Sequence, residues 1–218
     1  MLEQHVALQP RGARECRRSL RFVGVGVETR PVGPEDVADL GALFDRQRST
    51  RHCWCMAFCS TRARFAAGWL GGGNRDRFVA MAEVSQTPMG VLALVAGQPV
   101  GWCACGPRSR YMAAIGGRSK LLLGRERAED ERVWLLACFF VGVEHRGQGV
   151  THALMCSAVD LARGEGAVAI EGWPLAASAR RSADAFVGQE RVYEALGFSC
   201  VQRPNPQRAI MRLELNEA

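Results

Sequence analysis

The chain has no apolar run long enough to cross a bilayer. The longest, Val133 to Val141, falls far short of the roughly 20 residues a spanning helix needs, so neither a membrane span nor a membrane partner is expected. Met1 to Arg30 has no unbroken apolar core followed by a small-residue cleavage site, which argues against a secretory leader and for a cytoplasmic protein. No aromatic residues interleave with the basic ones, so the net charge of +6 gives no support to nucleic-acid binding. The nine cysteines are odd in number and lack the regular spacing of a disulfide scaffold. Cys103, Cys105, Cys138 and Cys156 lie in apolar runs, where free thiols behave as small hydrophobes, and a reducing compartment suits them. Internal repeats and low-complexity tracts are also missing.

What remains is the composition of one globular domain: 218 residues, 48% hydrophobic and 23% charged, enough to bury a full core. Much of the positive charge sits in Arg11, Arg14, Arg17, Arg18 and Arg21, so residues 1–22 read as a basic, poorly ordered N-terminal extension and 23–218 as the domain. The alternation of Val23, Val25, Val27 and Thr29 predicts a first strand, stopped by Pro31 and Pro34. Pro34-Glu35-Asp36 opens a helix to about residue 47. Arg51 to Gly73 is apolar without a clean period, after which Asn74 is placed to cap a helix to about Glu83. A hairpin follows, Val91–Val95 and Val100–Cys105 about Ala96-Gly97-Gln98. Residues 108–131 read as a loop with one short helix near Tyr111. Then come a strand at 133–141, a helix at about 149–163, a short strand at 167–172, a helix carrying Val192, Ala195 and Leu196, and two last strands, 198–202 and 209–215.

The most informative stretch runs from Phe139 through Glu144-His145-Arg146-Gly147-Gln148-Gly149 to Thr151. A strand breaks at a glycine-rich turn and an amphipathic helix starts at once. Such a turn presents backbone N–H groups at a helix N-terminus, where they and the helix dipole favour a phosphate. Glu144 and His145 precede the turn and read as solvated flanks. A dinucleotide-binding oxidoreductase would need a glycine where His152 stands. His52-Cys53-Trp54-Cys55-Met56-Ala57-Phe58-Cys59 invites a zinc or redox reading, but no second half-site follows, so no metal is expected.

The element order and the Arg146-Gly147-Gln148-Gly149 turn resemble the GNAT N-acetyltransferases over about residues 24–216. The family pattern falls on Arg146, Gly149 and Thr151; Thr151 departs from the small last residue, although its backbone N–H donates as a glycine's does. Tyr193-Glu194-Ala195-Leu196-Gly197-Phe198 is similar to the Tyr-x-x-x-Gly-Phe segment that closes such domains, and Cys53 to Met56 resembles a Cys-Trp-Cys-Met segment of a bacterial subgroup. The resemblance implies an α/β (α+β) GNAT fold: a mixed sheet of six to seven strands with splayed central strands, flanked by about four helices.

It further implies acetyl transfer from acetyl-CoA to a primary amine of a small molecule or peptide, in a ternary complex. The pantetheine arm would pair with Phe139 to Val141, Phe140 included, and the pyrophosphate would sit on Arg146, Gly147, Gln148, Gly149, Val150 and Thr151. Tyr193 would protonate the departing sulfur. Glu171, near the end of its strand, is the candidate base, since an amine of pKa about 10.4 must lose a proton to attack; a hydrogen-bonded glutamate at a strand end is the competing reading. Trp54, in an apolar wall over the acceptor, and Trp173 are the expected substrate-binding residues. Homodimers are common in the family, which leaves a homodimer open here. The alternative function is a non-catalytic acyl-CoA-binding module.

Overall fold

A computed structural model describes residues 26–116, 124–176 and 185–215. Seven strands form one sheet in the order β1-β2-β3-β4-β5-β7-β6. They are β1 (Val27–Pro31), β2 (Gly90–Val95), β3 (Gln98–Pro107), β4 (Val133–Val141), β5 (Ala169–Gly172), β6 (Ser199–Asn205) and β7 (Arg208–Glu214). All neighbours are antiparallel except β4 and β5. The mixed sheet agrees with the expected fold. No helix among the described residues is long and apolar enough to cross a membrane.

The helices are α1 (Val37–Asp45), α2 (Arg48–Arg51), α3 (Met56–Cys59), α4 (Arg62–Ala67), α5 (Gly73–Val84), α6 (Met112–Gly116), α7 (Val150–Gly164) and α8 (Glu190–Glu194). Helix α7 covers one face of the sheet through Val150, Leu154, Ala158 and Ala162, which pack on Val91, Val100 and Phe139. Helices α1 and α5 cover the other face, where Leu40, Phe44 and Phe78 meet Leu92, Trp102 and Phe140. The strand alternation therefore divides the core in two, with β4 contributing to both halves.

Several expectations need adjusting. The first strand includes Pro31, which pairs with Val91 at a strand end where a missing N–H is tolerated; Val23 lies outside the described residues, as do 1–25 generally. The first helix is α-helical only from Val37, after a 3₁₀ turn at Pro34–Asp36. Asn74 caps nothing. Helix α5 starts at Gly73 behind a left-handed Gly72, and Asn74 is buried, its side-chain amide donating to the carbonyls of His52 (2.8 Å) and Phe65 (3.2 Å). It thereby anchors the aperiodic segment, which folds as α3 and α4. Cys103, Cys105 and Cys138 are free and buried, but Cys156 is disulfide-bonded, a pairing that the irregular spacing does not announce.

Close approach of α7 to the sheet depends on Gly101. A Cβ there would stand 2.7 Å from Val150 Cγ1 and 3.2 Å from Leu154 Cδ1. Gly101→Val should push α7 outward and lower stability by about 1–3 kcal/mol; thermal unfolding measures it, and an unchanged melting temperature would contradict the packing described.

Candidate active site

The sheet opens along β4. Strand β5 pairs with β4 only from Val133↔Ala169 to Leu136↔Gly172. Beyond Gly172 the chain follows β7 instead, with Ala209 N–H donating to Pro174 O (3.3 Å) and Ala176 N–H to Gln207 O (3.0 Å). Strand β4 continues to Val141, held only by β3 on its other edge. At the point of parting it also bulges: Cys105 faces Leu136 while Ala104 faces Cys138, leaving Ala137 as the extra residue. After the bulge Phe139 turns to the α7 face, and Cys138 and Phe140 to the other.

At the far end of β4, Val143–His145 form a 3₁₀ turn, and Gly147 (φ 74°) and Gly149 (φ 82°) take left-handed conformations. These let the chain reverse into α7, whose N-terminus no side chain caps. Arg146 Nε donates to Val141 O (3.1 Å) and Gln148 Nε2 to Glu144 O (2.8 Å), so both side chains brace the turn. Val150 is buried and Thr151 half-buried. Glu144 lies on the surface as expected, 3.6 Å from Arg46. An open strand edge and an uncapped helix N-terminus thus stand in series, a fit for an extended group ending in a phosphate.

Tyr193, on α8, lies where β5 leaves β4. Its ring rests against Gly172, where a Cβ would come within 2.4 Å of it, and against Gly188. The hydroxyl donates to Val187 O at 3.1 Å. Val187 belongs to a short turn, Ala185–Val187, that packs on β4. Burial, foremost, holds the phenol well above its usual range, so it stays protonated.

Glu171 stands elsewhere. It is buried on β5, with Oε1 accepting from Arg212 (2.9 Å) and Oε2 from Arg108 (3.4 Å). Arg108, buried, also reaches Asp130 (3.0 Å), Glu129 (3.7 Å) and the carbonyl of Glu126 (2.8 Å). Both carboxylate oxygens are committed to guanidinium groups, which favours the hydrogen-bonded reading of this glutamate over the base, and the residue ties 126–130 to β5 and β7. Neither arginine was singled out from sequence, because each partner lies far along the chain.

Cysteine-rich α2–α3 borders a cavity of about 170 Å³ on the face opposite α7. Trp54 is on its wall, as are Phe58 and Phe140; Trp173 is set one ring back, packed on Phe58 at 5.9 Å. Trp54 (φ 50°) and Cys55 (φ 56°) are consecutive left-handed non-glycine residues, a strain of about 1–2 kcal/mol each. Packing sustains it: Trp54 meets Phe44 edge-on at 5.2 Å and donates its indole N–H to Arg51 O. Cys55 Sγ accepts from Trp102 Nε1 at 3.3 Å. Hydrogen bonds from Cys138, first, and Trp102 lower its thiol against the effect of burial, whereas burial pushes Cys53 and Cys59 up to about 12.

Fold and site together define an α/β protein whose mixed sheet splays beside a glycine-turn helix. Residues 49–198 match the acetyltransferase (GNAT) family profile. The chain therefore belongs to the GNAT acetyltransferase family and is an acyltransferase. An N-acetyltransferase from Staphylococcus aureus Mu50 has a similar structure at 14% identity, covering 88% of this chain and 99% of that one with a TM-score of 0.53. The yncA protein of Salmonella typhimurium, solved with its cofactor acetyl-CoA, is similar at 15% identity, 88% and 95% coverage and TM-score 0.53. A ribosomal-protein-alanine N-acetyltransferase from Brucella melitensis follows at 16%, 86% and 99%, and 0.52. At these identities the likeness is one of fold. No curated protein matches the chain.

Two measurements follow from the buried charges and phenols. Tyr111 and Tyr193 are the chain's two tyrosines, both buried and both raised well above the usual phenol range, chiefly by burial. Raised folded values mean that their stabilising contribution is complete below the unfolded value of about 10 and is lost as pH rises beyond it. Ultraviolet titration should show tyrosinate appearing only with alkaline unfolding; a smooth titration near 10 in the folded protein would contradict the burial. Glu171→Gln should cost about 1–3 kcal/mol in denaturant unfolding by removing the carboxylate that Arg108 and Arg212 share, while Arg108 keeps Asp130 and Glu129 and Arg212 keeps Glu129 and Glu214, and should leave the shape of any pH–rate profile as it was. An altered profile would favour the base.

Proposed function

We propose that the protein transfers an acetyl group from acetyl-CoA to a primary amine of a small molecule or peptide by direct attack within a ternary complex. The observation that carries this reading is the open edge of β4 leading to the uncapped N-terminus of α7. The pantetheine arm pairs with the backbone of Phe139 to Val141, and the pyrophosphate lies on the N–H groups of Arg146, Gly147, Gln148, Gly149, Val150 and Thr151. The Cys53–Met56 segment goes with the bacterial subgroup that carries Cys-Trp-Cys-Met.

In this scheme the amine nitrogen attacks the thioester carbon, the C–N bond forms, and the C–S bond breaks. Tyr193, kept protonated by burial, gives its proton to the departing sulfur after leaving Val187 O. The amine proton departs to water, since Glu171 is held by Arg108 and Arg212. Trp54 and, through Phe58, Trp173 wall the acceptor.

The test is release of free CoA with a panel of amines, alongside thermal unfolding with acetyl-CoA. Acetyl-CoA should raise the melting temperature, an amine should release CoA, and Tyr193→Phe should slow release by about 10²–10⁴-fold without loss of the thermal shift. Protection without release by any amine would favour the non-catalytic acyl-CoA-binding module. No protection would refute the site.

A further inference from the structure

The cavity beside β4 says more about the acceptor than the cofactor turn does. Its aromatic walls are Phe44, Trp54, Phe58, Phe140 and Phe186. Among the described lining residues none carries a carboxylate or a cation. Of its polar lining, Thr50 Oγ1 donates to Phe44 O (2.8 Å) and contacts Gln47 O (3.0 Å), Cys55 is held by Trp102 and Cys138, and Ser49 lies at the exposed rim. At about 170 Å³ the cavity, which opens partly to solvent, is large enough for one ring, since an apolar cavity of about 150 Å³ binds benzene. Cys138 and Phe140, which help to line it, come from the stretch of β4 that β5 leaves unpaired. A ring seated in the cavity therefore leaves its substituent at the open strand edge.

We infer that the acceptor is a primary amine carried by a single aromatic ring or a hydrocarbon group of that size, with the ring in this cavity and the nitrogen towards β4. The inference rests on the acetyl-transfer reading and narrows it. A polyamine or a free amino acid would bring a second charge to apolar walls that offer no counter-charge, at a desolvation cost, and the alkyl chain of a lysine side chain would fill them less well than a ring. A ring brings buried apolar area, of the order that shifts affinity by about tenfold or more.

The experiment uses the full chain and compares 2-phenylethylamine with ethanolamine, spermidine and lysine. Binding is followed by equilibrium dialysis without acetyl-CoA, and turnover by CoA release with it. Phenylethylamine should bind at least about tenfold tighter than each of the others. Toluene, which has the ring and no amine, should compete with it. Ala57→Phe, which adds a ring to the cavity lining, should remove the preference while acetyl-CoA still raises the melting temperature. Equal or reversed preference, or no competition by toluene, with acetyl-CoA protection intact, would overturn the acceptor inference and leave acetyl transfer standing. Loss of acetyl-CoA protection in the unaltered protein would instead overturn acetyl transfer, and dialysis would still decide whether the ring binds.

Discussion

Everything at the candidate site depends on β4 being paired on both edges over only three residues. From Trp134 to Leu136 it is an interior strand, held by β3 and β5. From Ala137 onwards no strand pairs with one edge, because β5 has turned to follow β7. Backbone N–H and C=O groups seek partners, and an exposed edge is a template for another extended chain. The protein keeps that edge short, bends it with a bulge, and closes its end with a glycine turn and a helix N-terminus. On one face it meets Phe139 and Tyr193; on the other it meets the aromatic cavity.

The supports of this opening come from distant parts of the chain. Gly172 and Gly188 leave room for the Tyr193 ring. Arg108, Glu171 and Arg212 fasten the loop after β3 to the strands on the far side of the gap. Asn74 holds the cysteine-bearing turns against α5, where the left-handed Trp54 and Cys55 project onto the cavity. These contacts position the candidate site from outside it, and the buried ion pairs resist separation because each lone charge would be left in a poorly solvated interior.

Sequence pattern alone was enough to read the parts governed by local chemistry. Strand β4 was legible from an unbroken apolar run, the hairpin from Ala96-Gly97, and α7 from its glycines and its apolar face. Family resemblance supplied the splay and the place of Tyr193. What was not legible depended on contacts distant in sequence. Glu171 looked available at a strand end, and only the arrival of Arg108 and Arg212 shows it to be engaged. Asn74 looked like a cap because that is its commonest local use, yet it serves carbonyls of two other segments. Residues 51–73 had no period to read because they fold as short turns whose apolar groups face in several directions. Phe186 gave no signal of its own, and its place on the cavity wall follows from the return of the chain after β5.

The central claim is that one extended cosubstrate occupies the free edge of β4 and the N-terminus of α7 together. Amide hydrogen exchange of the full chain, with and without acetyl-CoA, tests it most directly. Acetyl-CoA should slow exchange in both Phe139–Val141 and Gly147–Thr151, while β1 and β2 are unaffected. Protection confined to other segments, or absent from either of these two, would contradict it.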